Sequence, residues 1–201
     1  EVIAEFLNKI KFPFAALDME VWNPAIPQLQ GTKPFEQIPF LFSIVNENSS
    51  FSFFTEHKID ERKIFAENLI QSTSEFDSLL VYDSAMELRI LQNIGELFPE
   101  MKIELEIIKS KIIDLSFIFL NLHYYHPGFK NNLNLKSIHE ILCSENTEGA
   151  ISSGLEAMHY YDGFRNSESE SESEKSKLRN ELQKYCEGDC KAVMNIYQHL
   201  K

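Results

Sequence analysis

Short apolar runs of strand length, interleaved with stretches that repeat apolar residues at helical spacing, constrain this chain most. Lys11 to Leu17 reads as a buried strand ending in Asp18-Met19-Glu20, and Pro24, Pro27, Gly31 and Pro34 punctuate the loop after it. Ile38 to Val45 is a second strand. Asn46 to Ser50 has turn chemistry and Phe51 to Thr55 forms a third strand, so the second and third make a hairpin. A helix starts at Asp60, Leu79 to Tyr82 is a strand, Ala85 to Phe98 is helical, and Ile112 to Leu115 is a fifth strand. Short helices follow at Leu135 to Leu142 and Leu155 to Tyr161, and a final one runs from about Lys177 to Leu200. A hairpin followed by alternating strands and helices predicts an α/β fold: a mixed five-stranded sheet flanked by helices.

The 201 residues are enough for one domain with a sizeable core. Ser and Glu alternate from Ser167 to Glu174, with nothing apolar to bury, which predicts a disordered loop over 166–176. No apolar run is long enough for a transmembrane helix. The first residue is Glu1 and the N-terminus lacks a signal pattern, so a domain excised from a longer cytoplasmic protein is expected. Three cysteines, two of them at Cys186 and Cys190 in a helical pattern, fit a reducing compartment better than a disulfide framework.

The formal charge of −12 repels a nucleic-acid backbone on average, which excludes a non-specific coating protein. A surplus of carboxylates is nevertheless what a metal site needs. Asp18 and Glu20 lie two apart on a strand and share a face, where they repel unless a cation lies between them. Asp83 and Glu87 follow the strand at Leu79 to Tyr82, at the strand end where sites form in open α/β sheets. Asp83 is also placed to cap the next helix. Tyr185 and Asp189 are four apart on one helix face.

The order and spacing of these three segments resemble the motifs of the tyrosine-bearing branch of the DEDD superfamily of 3′–5′ exonucleases. That resemblance implies a ribonuclease-H-like fold. Asp18 and Glu20 match its first motif, Asp83, Met86 and Glu87 its second, and Tyr185 with Asp189 its third. The second motif departs from the usual Asn-x-x-(Phe/Tyr)-Asp: Asp83 stands for Asn, Met86 for an aromatic residue and Glu87 for Asp. Nearly the whole chain is also similar to a bacterial family catalogued as a domain of unknown function. Asn23 to Pro27, Gly31 to Phe35, Gln37 to Phe40, His123 to Pro127, Tyr185-Cys186 and Asp189 carry that likeness. Its members often end larger proteins, some with a RecB-like nuclease region.

The resemblance implies two Mg²⁺ or Mn²⁺ ions held by Asp18, Glu20, Glu87 and Asp189, with Asp18 bridging both and Tyr185 orienting the attacking water. Its substrate would be a DNA or RNA 3′ end, single-stranded, with no membrane involved and with other domains of a longer chain as partners. Trp22, Asn23 and Phe35 are candidate walls for a terminal nucleotide, with Asp83 beside them and His123 and His126 as candidate base contacts. Lys33, Arg89, Lys130 and Lys136 are candidates for phosphate contacts, and Asp114 reads as structural. The alternative function is a catalytically weak or inactive module of the same fold that binds a nucleic-acid end or a protein partner.

Overall fold

The computed structural model describes residues 1–144, 150–166 and 171–201. Its centre is one five-stranded sheet built from β1 (Phe14–Trp22), β2 (Ile38–Val45), β3 (Ser50–Phe54), β4 (Ser78–Val81) and β5 (Ile112–Asp114), in the order β3-β2-β1-β4-β5. β1, β2 and β3 are antiparallel neighbours, and β4 and β5 run parallel to β1, so the sheet is mixed as the pattern predicts. The Asn46 carboxamide closes the hairpin turn by accepting from the backbone N–H groups of Asn48 and Ser49, both at 2.8 Å.

Alternation along β1 divides the core. Ala15, Leu17 and Met19 face α2 (Arg62–Thr73), α3 (Ala85–Leu97) and α4 (Lys102–Lys111), packing with Phe65, Leu69, Ile90 and Leu105. Ala16 and Trp22 face the opposite layer. That layer contains α1 (Val2–Leu7), α5 (Ser116–Leu120), α6 (Leu135–Cys143), α7 (Gly154–Asn166) and the 29-residue α8 (Glu172–Leu200). Phe40 is wholly buried there, stacked on Tyr161 at 3.9 Å between ring centroids and edge-on to Phe54. Among the described residues no helix is long and apolar enough to cross a membrane.

The structure corrects several boundaries. β1 does not stop at Glu20 but runs on to Trp22, still paired with β2 across a register shift between Glu20 and Val21. The sequence reading also omits α1 and α4. In α4, Ile103 and Ile107 are exposed beside the buried Leu105 and Ile108, which blurs the apolar stripe.

Part of the segment 166–176, expected as a disordered loop, is helical: Asn166 ends α7, and 172–176 lie in α8. Residues 167–170 lie outside the described residues, but α8 already begins at Glu172. Ser171 and Glu174 form a capping box: the Ser171 N–H donates to the Glu174 carboxylate at 2.9 Å, and the Ser171 hydroxyl accepts from the Glu174 N–H at 3.3 Å. Alternating Ser and Glu, read as a disorder signal, thus carries a helix-start signal.

Phe40→Ala should lower the stability of the metal-free protein by about 3–5 kcal/mol through the cavity it leaves between Tyr161 and Phe54. Urea unfolding, followed by far-ultraviolet circular dichroism, measures this.

Candidate metal centre

β4 pairs with β1 only from Phe14 to Ala16, opposite Ser78 to Leu80. Beyond Ala16 the β4-facing edge of β1 is open, and here the strand carries Asp18 and Glu20 on its α8-facing side. α8 crosses that side and presents Tyr185 and Asp189, one helical turn apart. Its approach is set by two buried thiols. The Cys186 Sγ–H donates to the Asp18 carbonyl at 3.4 Å and the Cys190 Sγ–H donates to the Ser43 carbonyl at 3.2 Å, so the helix lies directly on β1 and β2. Glu87 enters from the first turn of α3, which starts just after β4 stops.

One ligand atom from each of Asp18, Glu20 and Asp189 lies within 4.8 Å of the others. Glu87 is not part of this group, yet its charge acts on both Asp18 and Glu20. Glu20, Glu87 and Asp189 are 6%, 3% and 8% exposed, and the buried Asp18 Oδ2 and Glu87 Oε2 have no hydrogen-bond partner. The cleft in front of them is about 400 Å³, lined by Asp18, Glu20, Asn23, Met86, Tyr185 and Asp189, with Gly154, Leu155 and Met158 along the α7 side.

Such crowding disfavours ionisation. Burial, reinforced by Glu20, Asp189 and Glu87, pushes Asp18 well above the usual carboxylate range. Burial and the charges of Asp189 and Glu87 bring Glu20 to about 8, against a partial offset from Lys136. Burial brings Glu87 to about 7, and it raises Asp189 as well, there opposed by Lys136 and the Tyr185 hydroxyl. Burial and the same carboxylates drive the Tyr185 phenol far above its normal value, so it stays protonated. Close hard oxygens, two of them lacking any proton donor, fit a divalent cation of the Mg²⁺ class.

The remaining expected site residues divide. Asn23 lines the cleft. Trp22 does not: it is 1% exposed, donates from Nε1 to Asp162 at 3.1 Å and lies under the Arg165 guanidinium at 4.7 Å, so it is core rather than a nucleotide wall. Phe35 is 66% exposed, with φ +60°, over a neighbouring groove of about 550 Å³ between the 30–37 loop and α3. Asp83 is exposed at φ +64° and forms no side-chain cap on α3; its backbone N–H, not its carboxylate, is engaged.

His123 packs beside Phe117, and the His126 Nδ1 accepts from the Gly128 N–H at 3.1 Å. Both serve the loop after α5, and neither lines the cleft. Among the proposed phosphate contacts Lys136 is the one whose charge reaches the carboxylates. Its ammonium sits 4.5 Å from the Tyr185 ring centroid and donates to the Ser152 carbonyl at 2.6 Å. Sequence reasoning missed the seating role of Cys186 and Cys190. The only signal for it was that both fall on the α8 face that carries Asp189 and Leu182.

Fold and site together define a ribonuclease-H-like α/β domain with a carboxylate-lined cleft at the open end of its sheet. The chain belongs to the family described as Domain of unknown function (DUF2779), whose model matches residues 15–133, from β1 past Glu87. No curated protein sequence matches it. Similar solved structures include a family B DNA polymerase from the hyperthermophilic archaeon Pyrobaculum calidifontis, with a TM-score of 0.62 and 14% identity over 92% of this chain. The chain corresponds to only 24% of that polymerase's length. The Aedes aegypti Nibbler EXO domain aligns over 98% of this chain and 82% of its own, with a TM-score of 0.54 and 10% identity.

Because the folded carboxyls sit above their ordinary values near 4, the metal-free cluster contributes its full stability below about pH 4. That contribution is lost as pH rises through about 7 for Glu87 and about 8 for Glu20. In a chelator-treated sample Asp18→Asn should therefore raise the melting temperature at pH 8 and change it far less at pH 5. Differential scanning calorimetry reads this directly.

Proposed function

We propose that the protein is a divalent-metal-dependent 3′–5′ exonuclease that removes nucleotides from a single-stranded DNA or RNA end. The observation that carries this reading is the convergence of Asp18, Glu20, Asp189 and Tyr185 on one cleft, with the buried Glu87 near enough for its charge to act on Asp18 and Glu20, in a domain that shares its fold with an EXO domain. Asp18, Glu20, Glu87 and Asp189 would hold a pair of Mg²⁺ or Mn²⁺ ions. Such ions, once bound, neutralise the scissile phosphate and acidify the attacking water.

The chain's own groups have separable tasks. Tyr185, fixed as a neutral phenol, orients the water and cannot act as its base. Lys136 holds a positive charge above the Tyr185 ring and draws a phosphate toward the otherwise anionic cleft. Asn23 contacts the terminal nucleotide, with the apolar Leu155 and Met158 on the opposite side of the cleft. Phe35, in the groove further along α3, offers a stacking face to an upstream base. The buried thiols of Cys186 and Cys190, which hydrogen-bond to backbone carbonyls, fit a cytoplasmic setting, and other domains of a longer chain would bring the substrate.

The departure at the second motif invites the alternative of an inactive module, but Glu87 keeps its carboxylate buried toward Asp18 and Glu20. The enzyme reading is therefore preferred.

With Mn²⁺, a 5′-labelled single-stranded oligonucleotide should shorten stepwise from its 3′ end. Asp18→Ala and Asp189→Ala should abolish this, and Tyr185→Phe should slow it roughly a hundredfold. Phe35→Ala should weaken binding of longer strands by about 1–3 kcal/mol without changing turnover of a dinucleotide. Intact DNA and RNA substrates with both metals would refute the enzyme reading.

A further inference from the structure

Asp114, at the end of β5, makes a set of hydrogen bonds that the proposed chemistry does not use. Its Oδ1 accepts from the Asp83 N–H at 3.0 Å and its Oδ2 from the Ser84 N–H at 2.9 Å. Oδ1 also accepts from the Ser116 N–H at 2.9 Å. One carboxylate thus spans the junction between β4 and α3 with both oxygens and ties it to the start of α5. The junction needs such a clamp. Asp83 holds φ +64°, a left-handed conformation that non-glycine residues rarely adopt. The N-cap Ser84 gives α3 no side-chain cap, so the Asp114 carboxylate takes up N–H groups at this helix entrance instead.

The direction in which α3 leaves the sheet fixes where Glu87 arrives. Glu87 lies in the first turn of α3, 3% exposed, with a buried Oε2 that no protein group satisfies. It is not part of the close group of Asp18, Glu20 and Asp189, though its charge acts on Asp18 and Glu20, so the orientation of the helix entrance bears on whether it reaches a cation held there.

We propose that Asp114 is the positioning residue of the metal centre: by clamping the Asp83 and Ser84 N–H groups it aims Glu87 at the cation. This rests on the reading of Glu87 as a metal ligand. Outer groups that orient a ligand change metal affinity by roughly 10–100-fold when removed. Asp114 and Asp83 both place negative charge near Glu87, which supplies a charge control.

The test is Mn²⁺ titration by calorimetry on the whole chain, with the Mn²⁺ dependence of strand cleavage as a second readout. Asp114→Asn swaps one accepting oxygen for an amide that faces an N–H, and should weaken Mn²⁺ uptake about tenfold or more. Excess Mn²⁺ should restore its cleavage rate, which it would not do for a fold that is merely damaged. Asp114→Glu, which keeps the charge and displaces it, should behave alike and carries the comparison if the Asn variant does not fold. Asp83→Gly, which removes a charge but keeps the left-handed backbone and its N–H, should bind Mn²⁺ as the unaltered protein does. Unchanged Mn²⁺ uptake in Asp114→Asn or Asp114→Glu, or an equal loss in Asp83→Gly, would overturn the proposal. No Mn²⁺ uptake by the unaltered protein would instead overturn the metal-centre reading itself.

Discussion

The architecture depends on keeping like charges together where water is scarce. Asp18 and Glu20 occupy the α8-facing side of β1, between Ala16 and Trp22, both of which are buried. Asp189 is then pressed against them from α8. Each of these carboxyls resists ionisation, and no described basic side chain forms an ion pair with any of them. The fold tolerates this because the surrounding layers are extensively apolar, with Phe40, Phe42, Phe65, Tyr161 and Phe119 all enclosed. Functional sites commonly give up stability in this way.

Seating of α8 is the second requirement. Sulfur atoms at positions 186 and 190 contact carbonyl groups of β1 and β2 and are wholly buried, so a larger side chain at either position should push the helix away from the sheet. Lifting it would separate Asp189 from the two strand carboxylates. The acidity of the whole chain has a related meaning. A formal charge of −12 opposes a tight grip on a duplex, and Lys136 over the Tyr185 ring is the positive charge that the carboxylates feel. Phosphate recognition would then fall chiefly to the bound cations, which invert the local field.

Much of this was legible in the residues because it is local. Short apolar runs of strand length and hairpin turn chemistry place all five strands. Spacings of two on a strand and four on a helix put Asp18 with Glu20 and Tyr185 with Asp189. What was not legible depends on contacts distant in sequence. Trp22 looks like a stacking wall until Asp162 and Arg165, some 140 residues away, are seen to enclose it. Asp114 looks like a turn residue until its partners, 30 and 31 positions earlier, are known. His123 and His126, in an aromatic and proline setting, read as candidate base contacts or as packing and turn residues, and ring packing and a local N–H bond favour the second.

Asp18, Glu20, Glu87 and Asp189 are proposed to form one metal centre. Anomalous diffraction at the manganese edge, from crystals soaked in Mn²⁺ near pH 8, tests it most directly. Anomalous density is expected within coordination distance of Asp18, Glu20 and Asp189, with Glu87 turned toward it. A cleft without anomalous density, its carboxylates arranged as in the metal-free protein, would contradict it.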